Sequence, residues 1–138
     1  MKHFFPFLLI LICCTGCKDY ADSVIPSTKV ESELNLLTTD LELATPGGFK
    51  VISARTTKSP YIGYGGLLVV RGYLDDVVYA YDLACPAERN PEVKIRIENG
   101  IKAVCPKCGS EFDGIFYGST LPSAGKAKNE KLFLRQYC

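Results

Sequence analysis

Histidine is almost missing from this chain of 138 residues, whose one histidine is His3, next to the N-terminus. A metal site that requires imidazole therefore finds no ligand in the remainder of the chain. Catalytic pairs of serine or cysteine with histidine are excluded there for the same reason, because the nucleophile would have no imidazole base beside it.

An excess of charge is missing as well. Lysine and arginine together number 16 and aspartate and glutamate 15, for a formal net charge of +1. No basic stretch offers the electrostatic footprint that nucleic acids require, so we expect no nucleic-acid partner. The paired carboxylates Asp75 and Asp76 lie between two strand-like segments, which predicts a solvated turn and not an acid–base pair.

The chain also lacks a hydrophobic run long enough to cross a bilayer, which takes about 20 residues. The apolar run Phe4–Cys14 is shorter and is interrupted by Pro6. It follows the basic Lys2 and precedes Thr15-Gly16-Cys17, the small-residue approach to a cysteine that is typical of bacterial lipoprotein signals. We therefore predict a signal peptide over residues 1–16 and lipidation at Cys17.

This prediction implies membrane lipid as a partner, bound through the acylated Cys17. The protein would reside in the cell envelope, on the periplasmic or outer face of a bacterial membrane. Residues 17–29 are polar and contain Pro26, which is typical of a tether. We predict that residues 30–138 form one domain, because a segment of this length typically builds a single hydrophobic core.

Within residues 30–138, short alternating or β-branched segments between turn residues predict an all-β fold. Asn99-Gly100 is a strong signal for a hairpin turn. No stretch keeps a helical period, although 34–43 is compatible with one or two helical turns. The predicted strands are Val30–Leu36, Phe49–Ser53, Leu67–Tyr73, Val77–Leu83, Val93–Ile97, Ile101–Val104 and Leu132–Arg135.

Three cysteines lie in two short Cys-Pro segments about twenty residues apart. Cys85 belongs to Cys85-Pro86-Ala87-Glu88, and Cys105 and Cys108 belong to Cys105-Pro106-Lys107-Cys108-Gly109-Ser110. The predicted hairpin 93–104 connects the two segments. We therefore expect them to meet at one end of the domain. Thiolates gathered in this way are ligands for iron or zinc.

The spacing of these cysteines resembles the signature of the Rieske iron–sulfur family. The chain reads Cys85-x-Ala87, seventeen residues, Cys105-x-x-Cys108, and the family pattern is Cys-x-His, a spacer of similar length, Cys-x-x-His. The residues that follow, 109–113, are similar to the family's second cluster loop, and the segment 123–127 is similar to its Gly-Pro-Ala loop. The resemblance implies stacked antiparallel sheets with a two-loop cluster-binding subdomain, in a divergent bacterial lipoprotein member that lacks the ligand histidines.

The resemblance also implies roles for the ligands. Cys85 and Cys105 match the cysteine pair that holds one iron, and Ala87 and Cys108 stand at the two histidine positions. Since alanine binds no metal, the chain's own residues cannot complete the family's His₂Cys₂ cluster. Glu88 is the nearest carboxylate in sequence and is predicted as a fourth metal ligand, with Glu111, Asp113 and Cys138 as alternatives.

Around the cluster, Ser110 matches the serine whose hydroxyl donates a hydrogen bond to a cluster sulfur, so it is predicted to contact the cofactor. Phe112 stands where high-potential members carry a tyrosine that donates a second bond. Because the tyrosine hydroxyl is absent, a cluster in this chain would have a lower potential. Lys126 replaces the proline of the Gly-Pro-Ala loop.

Three functions remain open on these observations. The first is electron transfer through a modified [2Fe–2S] cluster, which requires an oxidoreductase partner protein. The second is a zinc site on the same three cysteines. The third is a structural or binding module without a cluster, held by a disulfide between the two loops that would contribute about 3 kcal/mol. In each case we expect a non-enzymatic accessory.

Overall fold

The computed structural model describes residues 24–127, 130–132 and 134–135. Within these residues all regular structure is antiparallel strand apart from two short 3₁₀ helices. The all-β prediction is therefore confirmed. The strands are β1 (Val30–Glu31), β2 (Phe49–Ile52), β3 (Tyr61–Ile62), β4 (Leu67–Arg71), β5 (Val78–Asp82), β6 (Ala84–Cys85), β7 (Asn90–Lys94), β8 (Arg96–Glu98), β9 (Lys102–Val104), β10 (Glu111–Phe112) and β11 (Leu134–Arg135), and the 3₁₀ helices are Leu41–Ala44 and Ile115–Tyr117.

A four-stranded sheet in the order β11-β5-β4-β2 forms the centre of the domain. Its strand β4 is buried on both faces, which explains why 67–70 is a continuous apolar run. Leu68 and Val70 point into one hydrophobic cluster, and Leu67 and Val69 point into another. The sheet therefore separates two cores, and the cysteines belong to the first of them.

The second core is covered by the pair β1–β3 and by the 3₁₀ helix 41–44, whose Leu43 is fully buried. The predicted strand 30–36 is shorter in the structure, where only β1 is extended, and its remaining apolar residues pack against this core. The predicted helical turn is present, at the end of the segment 34–43 and one residue beyond it.

The first core is covered by two smaller sheets, β6–β7 and β10-β9-β8, which carry the cysteine loops. The prediction of one strand over 93–97 is wrong, because the chain passes from one small sheet to the other at Ile95. The side chain of Ile95 is buried, and its backbone N–H donates to the carbonyl of Leu83 at 2.8 Å. The hairpin turn is confirmed, since Asn99 and Gly100 have φ values of 54° and 70°, as a type I′ turn requires.

At the N-terminal side of the described residues, Ile25 is buried with 2% of its surface exposed. Position 25 therefore already packs onto the domain. Within the described ranges, no helix has the length and apolar character needed to span a bilayer. Cys17, the predicted signal segment and most of the predicted tether lie outside these ranges, so the domain boundaries stay predictions.

Candidate metal centre

The first cysteine loop is the tip of the hairpin β6–β7. Cys85 is fully buried and pairs with Asn90 across the hairpin. The carbonyl of Cys85 accepts the backbone N–H groups of Glu88 at 3.2 Å and Arg89 at 3.0 Å. Arg89 has a φ of 51°, so the chain reverses there through the left-handed region.

The second cysteine loop is the tip of the hairpin β9–β10. The backbone N–H of Cys105 donates to the carbonyl of Ser110 at 2.9 Å, and the N–H of Gly109 donates to the carbonyl of Cys105 at 2.9 Å. Gly109 has a φ of 70°, a conformation that glycine adopts without steric cost. This turn directs Cys108 back toward the fully buried Cys105.

The three sulfur atoms converge, as the sequence predicted. The Sγ atoms of Cys85, Cys105 and Cys108 all lie within 4.8 Å of one another. Those of Cys85 and Cys108 are 3.6 Å apart, well beyond the bond length of a disulfide, about 2.05 Å. All three are free thiols in the structure. The cluster can therefore hold a metal ion.

Ser110 lies beneath this cluster and is fully buried. Its Oγ accepts the backbone N–H of Ala127 at 2.8 Å and lies 3.0 Å from the Sγ of Cys108. Once Cys108 is ionised its sulfur has no hydrogen to donate, so the Ser110 hydroxyl is then the donor of this contact. The role predicted for this serine, a contact with the cofactor, stays a prediction.

Burial and hydrogen bonding set the ionisation of the sulfurs. Burial raises the pKa of Cys85 to about 12, and the backbone N–H groups of Glu88 and Ala87 offset this only in part. Burial also acts to raise the pKa of Cys108, but hydrogen bonds from the side chain and backbone of Ser110 outweigh it and lower the pKa. Since the metal ligand is a thiolate, an ion bound at this point would release the proton of Cys85.

Glu88 does not belong to the sulfur cluster in the structure. Its carboxylate forms an ion pair with the Nζ of Lys107 at 2.6 Å, and its side chain is only 16% exposed. Among the described residues, the groups that are close enough to share one ion are the three sulfurs alone. Ala87 packs against the first core as a partly buried apolar residue.

The segment 123–127 covers the second loop. Its Ala124 carbonyl accepts the backbone N–H of Glu111 at 2.9 Å. Gly125 has a φ of 92° and lies so close to Ser110 that a Cβ atom would overlap the backbone of Ser110. Phe112 is fully buried in the first core, and offers no hydroxyl to the sulfurs. The segment therefore closes the floor of the site by backbone contact.

The sequence did not predict two polar residues that support the cysteine loops. Lys107 forms the ion pair with Glu88 across the loops, and no local pattern indicates it. Asp82 is fully buried and accepts the backbone N–H groups of Tyr64 at 2.8 Å, Gly65 at 2.9 Å and Ala84 at 2.9 Å. The position of Asp82 in an apolar strand segment could have indicated this role, because a buried carboxylate needs several hydrogen-bond donors.

None of the alternative fourth ligands that the structure describes lies with the three sulfurs. Glu111 forms an ion pair with Lys102 at 2.8 Å, and neither Glu111 nor Asp113 belongs to the sulfur cluster. Cys138, like Cys17, lies outside the described residues. Comparisons with protein-family models, curated proteins and solved structures gave no match. The geometry of the three sulfurs is thus the observation from which a function follows.

Proposed function

We propose that this protein is a Rieske-like domain, tethered to a membrane through Cys17, that binds one thiophilic metal ion with the thiolates of Cys85, Cys105 and Cys108. The single observation that carries the proposal is the mutual approach of the three sulfurs, all within 4.8 Å. Thiolates on one tetrahedral metal, with bonds of about 2.3 Å, stand roughly 3.8 Å apart. The 3.6 Å between Cys85 and Cys108 is close to that separation.

The residues present do not fit the cluster that the resemblance implies. In the Rieske arrangement Cys85 and Cys105 would share one iron, and Cys108 would bind the other. Ligands on different irons are held apart by the bridging sulfides between the irons, whereas Cys85 and Cys108 are in sulfur–sulfur contact. Ala87, at the second histidine position, offers no ligand atom. A single ion fits this donor set better than two irons.

Zinc is the ion that these donors favour. It accepts three cysteines and one oxygen in a tetrahedron and needs no tuning of a redox potential. An ion at this point would join the tips of two hairpins, β6–β7 and β9–β10, which the ion pair of Glu88 with Lys107 also connects. Its binding free energy would then stabilise the fold. The role we propose is that of an envelope-bound, non-enzymatic metal-binding module.

The antiparallel sheets and the two cysteine hairpins at one end of the domain support the Rieske-like part of the proposal. The Ser110 hydroxyl, directed at a sulfur, supports it as well. The lipid tether rests on the sequence pattern around Cys17. The second candidate is the oxidised module, and the observation in its favour is that Cys85 and Cys108 need to approach by only about 1.5 Å to form a disulfide.

The test is an anaerobic purification of the full chain, followed by a visible spectrum, elemental analysis and a thiol count. We expect a colourless protein with one zinc per chain, and loss of the zinc in Cys105→Ser. Ser123→Ala, whose hydroxyl contacts a carbonyl near the surface, is the matched control and should retain the zinc. A red-brown protein with two irons and sulfide would replace the proposal with the electron carrier. A metal-free protein with two thiols hidden until reduction would replace it with the disulfide module.

A further inference from the structure

The two cysteine loops have the same backbone design. Each begins with Cys-Pro, and each cysteine is bridged to the fifth residue after it, Asn90 or Ser110. In each loop the carbonyl of the cysteine accepts the N–H of the fourth residue after it, at 3.0 Å for Arg89 and 2.9 Å for Gly109. That fourth residue has a left-handed φ in both loops, 51° for Arg89 and 70° for Gly109.

This correspondence assigns a counterpart to every position. Cys85 corresponds to Cys105, and Glu88 corresponds to Cys108, since each stands three residues after its cysteine and one before the left-handed residue. The family resemblance instead puts the first loop's ligand at Ala87. The observed hydrogen bonds and φ angles therefore point to position 88.

The Glu88 side chain lies between the two loops, although its carboxylate is not close enough to all three sulfurs to share one ion with them. It is mostly buried at 16% exposure, and it reaches across to the second loop, where it meets Lys107, the residue directly before Cys108. Lys107 is the more exposed member of the pair, at 62%. The carboxylate is thus held between the two loops by this ion pair and is mostly shielded from solvent.

We infer that Glu88 is the fourth ligand of the metal, which makes the centre a Cys₃Glu site built from two equivalent Cys-Pro loops. This inference rests on the proposed function, a single ion on the three thiolates. Without metal, Lys107 holds the carboxylate ready between the loops. When the ion binds, the carboxylate leaves the ammonium group for the metal, and Lys107 stays close to the anionic centre.

The fourth ligand determines the chemical class of the site. Zinc sites closed by four protein ligands are structural, and sites that keep an open position for water are catalytic. A Cys₃Glu site is closed. Its expected ligand is therefore the metal ion itself, with no position left for a substrate.

Cobalt(II) is the probe for the test, because thiolate-to-cobalt charge transfer reports the number of sulfurs on the ion. The full chain is titrated anaerobically as wild type, Glu88→Cys and Ala87→Cys, and as Glu88→Gln. Glu88→Cys should raise the charge-transfer intensity by about one third, as four thiolates replace three. Ala87→Cys is the matched control at the adjacent position and should leave the intensity unchanged. Glu88→Gln should weaken cobalt binding about tenfold or more while keeping the three-thiolate spectrum.

The outcomes separate the two claims. If the wild type gives no thiolate charge transfer, the three-thiolate site itself is wrong, and the inference is overturned with it. If the wild type gives a three-thiolate spectrum but Ala87→Cys gains the fourth sulfur, or Glu88→Gln binds cobalt as tightly as wild type, only the assignment of Glu88 is overturned. Gain at position 88 alone, with weaker binding in Glu88→Gln, supports both.

Discussion

Replacing Ser110 by alanine removes one oxygen atom that connects the metal centre to the segment covering it. The hydroxyl lies 3.0 Å from the Sγ of Cys108, to which it donates when the sulfur is a thiolate, and it accepts the backbone N–H of Ala127 at 2.8 Å. Ser110 has no exposed surface, so the contact with Ala127 is buried, and the contact with Cys108 is partly buried. The substitution therefore acts on metal affinity through Cys108 and on folding through Ala127, and the two effects can be measured separately.

The loss of the bond to Cys108 removes a donor that stabilises the thiolate over the thiol. Partners of this kind, one step removed from the metal, change affinity by about 10–100-fold, which corresponds to about 1.4–2.7 kcal/mol. The loss of the bond to Ala127 leaves a buried N–H without its acceptor. That costs about 1–3 kcal/mol of folding free energy, and the cost is present with or without metal.

The affinity is measured by competition for zinc against a chromophoric chelator, and the folding free energy by urea unfolding of the metal-free protein. Ser123→Ala serves as the control, because that hydroxyl contacts the Glu111 carbonyl at 3.1 Å at an exposed position. We expect Ser110→Ala to bind zinc at least tenfold more weakly and the control to bind it normally. Zinc affinity equal to that of the wild type in a folded Ser110→Ala would refute the assigned hydrogen bond to sulfur.

Three further predictions concern the surroundings of the site. Asp82→Ala should lower the free energy of unfolding by about 3 kcal/mol or more, because two buried backbone N–H groups and a partly buried one lose their acceptor; a urea midpoint equal to that of the wild type would contradict this. Gly125→Ala should destabilise the protein by about 2 kcal/mol or more, because its backbone has a positive φ and lies against Ser110, and unchanged unfolding and zinc affinity would count against the close approach. Hydrogen bonding from Lys50 lowers the pKa of the buried Asp40 from 3.8 to about 2, so this carboxylate contributes its full stabilisation above about pH 4 and loses it as the pH falls toward 2. Urea unfolding of the metal-free protein should therefore show an acid-dependent loss of about 1–2 kcal/mol that is absent in Asp40→Asn; the same loss in both proteins would show that other groups cause it.

Several elements of the fold follow from local sequence. The left-handed conformations of Asn99 and Gly100 produce the predicted hairpin, and the apolar run 67–70 is the doubly covered strand that its composition indicates. The break at Ile95 could not be predicted, since 93–97 alternates as a single strand would. The chain changes sheets there because the backbone of Ile95 pairs with Leu83, which is a contact between distant parts of the chain.

Some features of the candidate site could likewise be predicted from local sequence, and others could not. The types of metal ligand could be predicted, because only cysteines and carboxylates remain as ligands once histidine is confined to position 3. The convergence of the sulfurs could be predicted from the spacing of the two Cys-Pro segments. The ion pair of Glu88 with Lys107 could not be predicted, because it joins side chains from two different hairpin tips.

The amino-acid sequence by itself determined which atoms are available to this protein: soft sulfur ligands, almost no imidazole, a balanced charge and strands with sharp turns between them. These properties belong to single residues or to neighbours along the chain. Only the tertiary structure decided that the sulfurs of Cys85 and Cys108 are in contact and that Ala127 donates to Ser110. The reason is physical, since distances between atoms on separate loops are set by how the hairpins pack on a shared core, and no local pattern specifies that packing.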